Sequence, residues 1–255
     1  MNKLILLFAL LTNLNVIADE GMWEPYELPK LESELKKSGF TTDVASLSNL
    51  FEHPMSAVVS LGGCSAAFVS PEGLIATNYH CIESSFLQYN SSDDENLFET
   101  GFLARSKDKE KRSAPGARVY ITTESKEITN QVLSGVTDET ESLDRAKLIE
   151  NNKKLIIKQC ENSEEIECRV RTFFSGEVYK LEKLFKIKDV RLVYAPPAYV
   201  GEYGGEIDNW MYPRHTGDFA LLRAYVGKDG SSSEFSKENI PYASNSFLEI
   251  SAKGV

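Results

Sequence analysis

Hydrophobic and polar positions change their period along this chain, and each change marks an element. Residues 19–50 mix turns with one amphipathic stretch, "LPKLESELKKSGF", which predicts one or two helical turns ending at Gly39. From Ser56 the apolar residues gather into short runs. "SAVVSLGGCSAAFVS" and "GLIATNYHC" are rich in Val, Ile, Ala and Thr and are separated by "PEG". Pro71 and Gly73 suit a tight turn, so the two runs predict a hairpin-like pair of buried strands. "ARVYITTESKEIT" predicts another strand, with Val119 and Ile121 alternating against Tyr120 and Thr122.

The period then switches. Residues 137–161, "TDETESLDRAKLIENNKKLIIKQCE", place apolar side chains at 143, 146, 148, 149, 155, 156 and 157. Thr137 or Asp138 is the expected cap, and early acids followed by lysines suit the helix dipole. This is a surface helix of several turns. Strand-like runs return at "CRVRTFFSG", "VYKLEKLFKIKDVRLVYAPP" and "DFALLRAYVG". The expected fold is therefore mainly β, with one helical insertion around 137–161. Neither an internal repeat nor a low-complexity tract stands out, and the charged "ARSKDKEKRSAPG" is expected to be a solvated loop.

The first residues set an address. "MNKLILLFALLTNLNVIADEG" has Lys3, an apolar run from Leu4 to Leu11, and Ala18 two residues after Val16. This pattern predicts a secretory signal peptide over 1–18, cleaved before Asp19. The run is too short to cross a bilayer, and no later stretch is apolar and long enough, so no membrane anchor is expected after cleavage. Composition is that of a globular protein, with 42% hydrophobic residues. The formal charge of -10 argues against nucleic acid as a partner, because phosphate binding needs a basic face.

Four cysteines in an exported chain read as two disulfides, with three pairings open on paper. Loop length favours the sequence-local pairs, Cys64 with Cys81 and Cys160 with Cys168. The first pair brackets "LGGCSAAFVSPEGLIATNYHC", which also holds one of the chain's three histidines, His80. A serine-type hydrolase needs a histidine base held by a carboxylate, on a support rigid enough to keep its position. Closing the loop from Cys64 to Cys81 contributes about 3 kcal/mol in the chain-entropy picture. The segment thus predicts a base, His80, stapled at the end of a strand.

The order of cysteine, two strands, histidine and cysteine resembles the histidine loop of chymotrypsin-like serine peptidases. "TGDFALLRAYV" resembles the aspartate strand of that fold, which points to Asp218. Asp208 is the competing acid, and Asp218 is preferred because an apolar strand follows it. A closer resemblance rests on "GGCSAAFVSPEGLIATNYHC", "GEYGGEIDNWMYPRHTGDFALLRAYV" and "DEGMW". Together these are similar to the bacterial dipeptidyl-peptidase 7 and 11 family, periplasmic serine exopeptidases that release N-terminal dipeptides. The resemblance implies a chymotrypsin-like double β-barrel with a helical cap domain, homodimers, and no metal or organic cofactor. It implies catalytic roles for His80 and Asp218. It also implies that Asn209 and Trp210 recognise the free amino terminus of a peptide. An amide oxygen can accept from an ammonium, and an indole face attracts it.

The pattern stops short of the family's length. After Asp218 there is no Gly-x-Ser-x-Gly or similar nucleophile turn, and Ser231, Ser232 and Ser233 suit a polar hairpin turn. The expectation is an N-terminal portion of the catalytic domain, 19–255, without the nucleophilic serine, the second barrel or the cap. Such a portion alone is expected to be inactive. The alternatives are an inactive exported peptide-binding module and a non-functional remnant. Zinc is not expected, because Cys64, His80, Cys81 and His215 fit no compact ligand spacing. Arg214 and His215 are expected to hold a loop. His53, before Pro54, is expected at the surface or in a turn.

Overall fold

The computed structural model describes residues 23–204 and 216–251. They belong to two compact units, one ending at Ser48 and one beginning at Asn49. The first unit is helical. A 3-10 segment, Pro25–Leu31, runs into an α-helix, Glu32–Lys37, and the chain turns at Gly39 with φ +90°. A second 3-10 segment, Val44–Leu47, is opened by Asp43, whose carboxylate accepts from the Ala45 N–H at 3.2 Å. The helical turns ending at Gly39 are as the periodicity predicts.

The second unit is an antiparallel sheet. Its strands are β1 (Val58–Ser60), β2 (Ser65–Phe68), β3 (Leu74–Thr77), β4 (Phe102–Leu103), β5 (Lys111–Arg112), β6 (Val119–Glu127), β7 (Ile166–Phe173), β8 (Val178–Ile187), β9 (Asp189–Ala195), β10 (Ala220–Val226) and β11 (Ile240–Pro241). Among the described residues the strand order is β4-β9-β10-β3-β2-β1-β6-β8-β7, with β11 on β10 and β5 on β9. Between β9 and β8 lie six strand spacings, about 29 Å if the sheet were flat. Yet β8 and β9 are consecutive in the chain, joined through Lys188 alone. One residue spans no more than about 7 Å between its neighbours' Cα atoms. The sheet must therefore curl until its two ends meet, which is the rolled β architecture expected from the sequence.

Inside the curl the apolar faces converge. Phe68, Ile75, Val119, Ile187, Leu192 and Leu222, from six different strands, are buried in one cluster. The β2–β3 turn is the "PEG" predicted as such. Gly73 has φ +67°, and a Cβ there would lie 2.8 Å from the Ala224 carbonyl oxygen and 2.9 Å from that of Tyr242. Both the backbone angle and the close approach demand glycine.

The strands β6, β7 and β8 continue beyond this cluster and carry a second one, built on Ile128, Val132, Tyr179 and Leu181. The long helix Ser142–Cys160 lies over it with Ile149, Ile156 and Ile157 turned inward. None of its residues is buried outright, so it is the surface helix the periodicity predicts. Its start is not where the sequence placed it. The Thr140 hydroxyl accepts from the Thr137 N–H at 2.9 Å and closes a turn of its own, leaving Glu141 as the cap residue. Cys160, at the helix end, is disulfide-bonded to Cys168 on β7, with Cα atoms 6.1 Å apart.

Two further expectations are corrected. The run from Ser56 to Phe68 is two strands, β1 and β2, because the Leu61 N–H donates to the Cys64 carbonyl at 2.8 Å and reverses the chain around Gly62. The charged stretch after Ala104 is not merely a solvated loop. Lys111 and Arg112 pair with β9, and the Glu110 side chain is only 2% exposed. Its carboxylate accepts from Arg223 Nε at 2.8 Å and from the Tyr225 hydroxyl at 2.7 Å. Arg223 and Tyr225 alternate onto one face of β10, and that face needs an acid.

Candidate active site

The register of β3 against β10 assembles the site. Thr77, the last residue of β3, stands opposite Ala220, the first of β10. In an antiparallel pair the residues just past Thr77 then lie beside those just before Ala220. That brings His80, three residues beyond β3, next to Asp218. The Asp218 carboxylate holds His80 twice, through ring Nδ1 at 2.9 Å and the backbone N–H at 3.2 Å. Asn78 supports the same acid, its amide nitrogen donating to Asp218 Oδ2 at 3.0 Å and to the Asp218 carbonyl at 3.3 Å. Asp218 is sheltered, with a side chain 18% exposed, while the His80 side chain is 56% exposed and opens outward.

The chain behind His80 is tied at several points. Cys81 is disulfide-bonded to Cys64, which sits at the start of β2. Both bonds are the sequence-local pairs favoured by loop length. The turn itself is closed by the Cys81 N–H donating to the Asn78 carbonyl and the Ile82 N–H to that of Tyr79. Thr77 Oγ1 donates to the Ser65 carbonyl at 3.0 Å and fixes the end of the β2–β3 pair. Histidine, acid and disulfide thus lie where the sequence put them. His80 stands in a turn after the strand rather than on the strand itself.

Acidic groups crowd this corner. Burial first, then a hydrogen bond and the charge of Glu202, then the charge of Asp218, push the Glu83 carboxyl up to about 7. Tyr79, just before His80, is fully buried, and its hydroxyl has no hydrogen-bond partner among the described residues. Burial, with the charges of Glu202 and Glu83, pushes that hydroxyl up to about 12.

Neither Asn78 nor the Glu83–Glu202 pair was singled out from sequence. The signal for Asn78 was its place two residues before His80; Glu202 lies too far along the chain to have been paired with Glu83. Asn209, Trp210, Asp208, Arg214 and His215 lie outside the described residues. So does the predicted signal peptide over 1–18. His53 is exposed, and its Nδ1 is 3.1 Å from the Ser246 hydroxyl.

The candidate serines have structural partners. Ser231 Oγ donates to Asp229 at 2.6 Å, Ser232 Oγ to the Lys186 carbonyl at 2.5 Å, and Ser233 Oγ to Asn239 at 3.0 Å. They build the turn predicted for them. Cys64, His80 and Cys81 bring potential metal-ligand atoms within 4.8 Å of one another. Both sulfurs are spent in the disulfide, however, and a metal needs the thiolate. The donor set does not fit a metal centre.

The family model described as "Peptidase S46" matches residues 18–255. The chain belongs to the peptidase S46 family. It is 47% identical over 238 residues to an Asp/Glu-specific dipeptidyl-peptidase of Shewanella putrefaciens, covering 93% of this chain and 32% of the relative. It is 39% identical over 247 residues to dipeptidyl-peptidase 7 of Porphyromonas gingivalis, covering 93% of this chain and 33% of the relative. Among solved structures, the crystal structure of Porphyromonas endodontalis DPP11 in complex with the dipeptide Arg-Glu superposes with a TM-score of 0.79. There the identity is 31%, over 93% of this chain and 35% of that one. The chain spans about a third of the length of the S46 relatives it matches. Its antiparallel β fold is that of the corresponding third of DPP11.

Proposed function

We propose that this chain supplies the base and its carboxylate to a serine-type dipeptidyl peptidase, as the N-terminal part, 19–255, of the catalytic domain. The two hydrogen bonds that the Asp218 carboxylate accepts from His80 carry the reading. With Nδ1 turned to the acid, Nε2 is the basic atom of the ring. It takes the proton from the hydroxyl of a serine supplied from outside these residues, and returns it to the leaving amine. Asp218 fixes the tautomer and stabilises the imidazolium as it forms. Two disulfides, together with the N-terminal apolar run, support export to the periplasm or beyond after removal of residues 1–18.

The substrates are peptides with a free amino terminus, held by Asn209 and Trp210. The resemblance in "GEYGGEIDNW" supports that role. Anchoring the terminal ammonium sets how far the scissile bond lies from the nucleophile, which makes an exopeptidase. The names of the relatives leave two side-chain preferences open, acidic and otherwise. A homodimer without cofactor is the proposed form of the full-length enzyme.

The test is dipeptide release by the full-length protein, with His80→Ala beside it. Release that disappears in the variant is the expected result, and the intact mass of the exported protein should lie well above 28.5 kDa. Turnover unchanged in His80→Ala sinks the assignment. An exported protein that binds peptides by their amino terminus and never cuts them would favour a binding module instead.

A further inference from the structure

We propose that Asn78 is a positioning residue of the His80–Asp218 pair. Its side-chain amide places both of its hydrogens on Asp218 and so fixes the acid that orients the base. The proposal rests on the peptidase reading above.

The end of β3 prepares the contact. Thr77, the last strand residue, is buried, and so is Tyr79. Asn78 and His80 are exposed. These two, on either side of the buried tyrosine, both turn to the aspartate that the β3–β10 register brings alongside.

Asn78 Nδ2 lies 3.0 Å from Asp218 Oδ2 and 3.3 Å from the Asp218 carbonyl oxygen. Both neighbours are acceptors, so the nitrogen of the amide must face them and not its oxygen. That nitrogen carries two hydrogens, one for each acceptor. The carboxylate of Asp218 and the main chain that bears it are thereby tied to a single atom. Rotation of the acid about its own side-chain axis would break the tie. Side chains as short as this seldom offer so much: serine and threonine give one hydrogen, and an ionised aspartate gives none.

The carboxylate has three donors in all. Oδ2 accepts from Asn78 and from His80 Nδ1, while Oδ1 accepts from the His80 N–H. Among the described residues, Asn78 is therefore the one holder of the carboxylate other than the base itself.

An asparagine in a turn often bonds its own neighbouring backbone instead. Here the local task falls to its carbonyl, which accepts from the Cys81 N–H at 3.3 Å. The side chain is left to reach a residue 140 positions along the chain. Turn formation explains the position of Asn78, and the acid explains its side chain.

The experiment uses the full-length protein and a dipeptidyl fluorogenic substrate. Asn78→Leu removes both donors, and Asn78→Asp removes both hydrogens while keeping the shape. In each, kcat is expected to fall about 10–100-fold with KM within about twofold of the unsubstituted protein. Asn78→Leu is then made in an Asp218→Ala background. There it should change kcat by less than about twofold, because no carboxylate remains to be positioned. Since Asn78 is exposed, the melting temperature should stay close to that of the unsubstituted protein.

Unchanged kcat in Asn78→Asp overturns the proposal, and that variant reads it even if Asn78→Leu fails to fold. A loss of the same size with and without Asp218 overturns it too, because Asn78 would then support the turn and not the acid. If the unsubstituted protein releases no dipeptides, the underlying reading falls. An active protein indifferent to Asn78 sinks this proposal alone.

Discussion

Asp218 grips His80 at both its ring and its backbone, with Nδ1 at 2.9 Å and the amide N–H at 3.2 Å from the two carboxylate oxygens. A single hydrogen bond to the ring would leave it free to swing about its own side-chain axis. Two bonds to one planar group fix the ring relative to the main chain that bears it. The acid thereby orients the ring.

Asp218→Asn should separate those two roles. The amide can keep the shape of the contact but presents a donor where Nδ1–H needs an acceptor. In the full-length protein kcat for dipeptide release is expected to fall about 10⁴-fold with KM little changed. A fall of less than about tenfold would mean that this acid does not govern the base.

Removing the bond between Cys64 and Cys81, as in Cys64→Ala with Cys81→Ala, frees a loop that closes over 17 residues. Stability should drop by about 3 kcal/mol. Activity should drop as well, since Cys81 adjoins His80. Urea unfolding beside kcat/KM checks both, and loss of neither would show that the β3–β10 register holds the turn unaided.

Glu83 gives a pH dependence whose sign is fixed. Its carboxyl sits at about 7 in the folded chain, above an ordinary value of 4.5. Between those two values the folded state holds a proton the unfolded state has released. Stability from this group is therefore complete below about pH 4.5 and is lost as pH rises through about 7. Glu83→Gln carries no such charge. The melting temperature of the variant relative to the parent should rise between pH 5 and pH 8; a gap that stays constant would refute the raised Glu83 carboxyl.

Glu110→Ala leaves Arg223 with its Nε contact unmatched in a nearly dry place, since the two side chains are 12% and 2% exposed. Breaking one member of such a pair should cost about 3–5 kcal/mol. Denaturant midpoints would reveal it, and a loss below about 1 kcal/mol would place this pair among ordinary surface ion pairs.

Legibility in the sequence followed range. The strands around His80 and the long helix were readable because period and turn residues act within a few positions. His80, Asp218 and both disulfides were readable because their segments carry their own marks. Glu110 was not, since its partner Arg223 lies 113 positions away and nothing in a run of charges tells a buried acid from a solvated one. The helix start was misjudged because Thr137 and Thr140 satisfied each other first. Asn78 and the Glu83–Glu202 pair became visible only when β3 and β10 were laid side by side.

The junction at Lys188 has a consequence in time. Because β8 and β9 lie six strand spacings apart in the strand order, the curl cannot close until β10 has been made and laid between β9 and β3. His80 and Asp218 are 138 positions apart, and closing so long a loop costs about 4 kcal/mol before any contact repays it. Assembly of the pair is thus a long-range event of the slow kind. A chain that has not yet made β10 carries the histidine without its acid. The His80–Asp218 pair comes into being only when the barrel does.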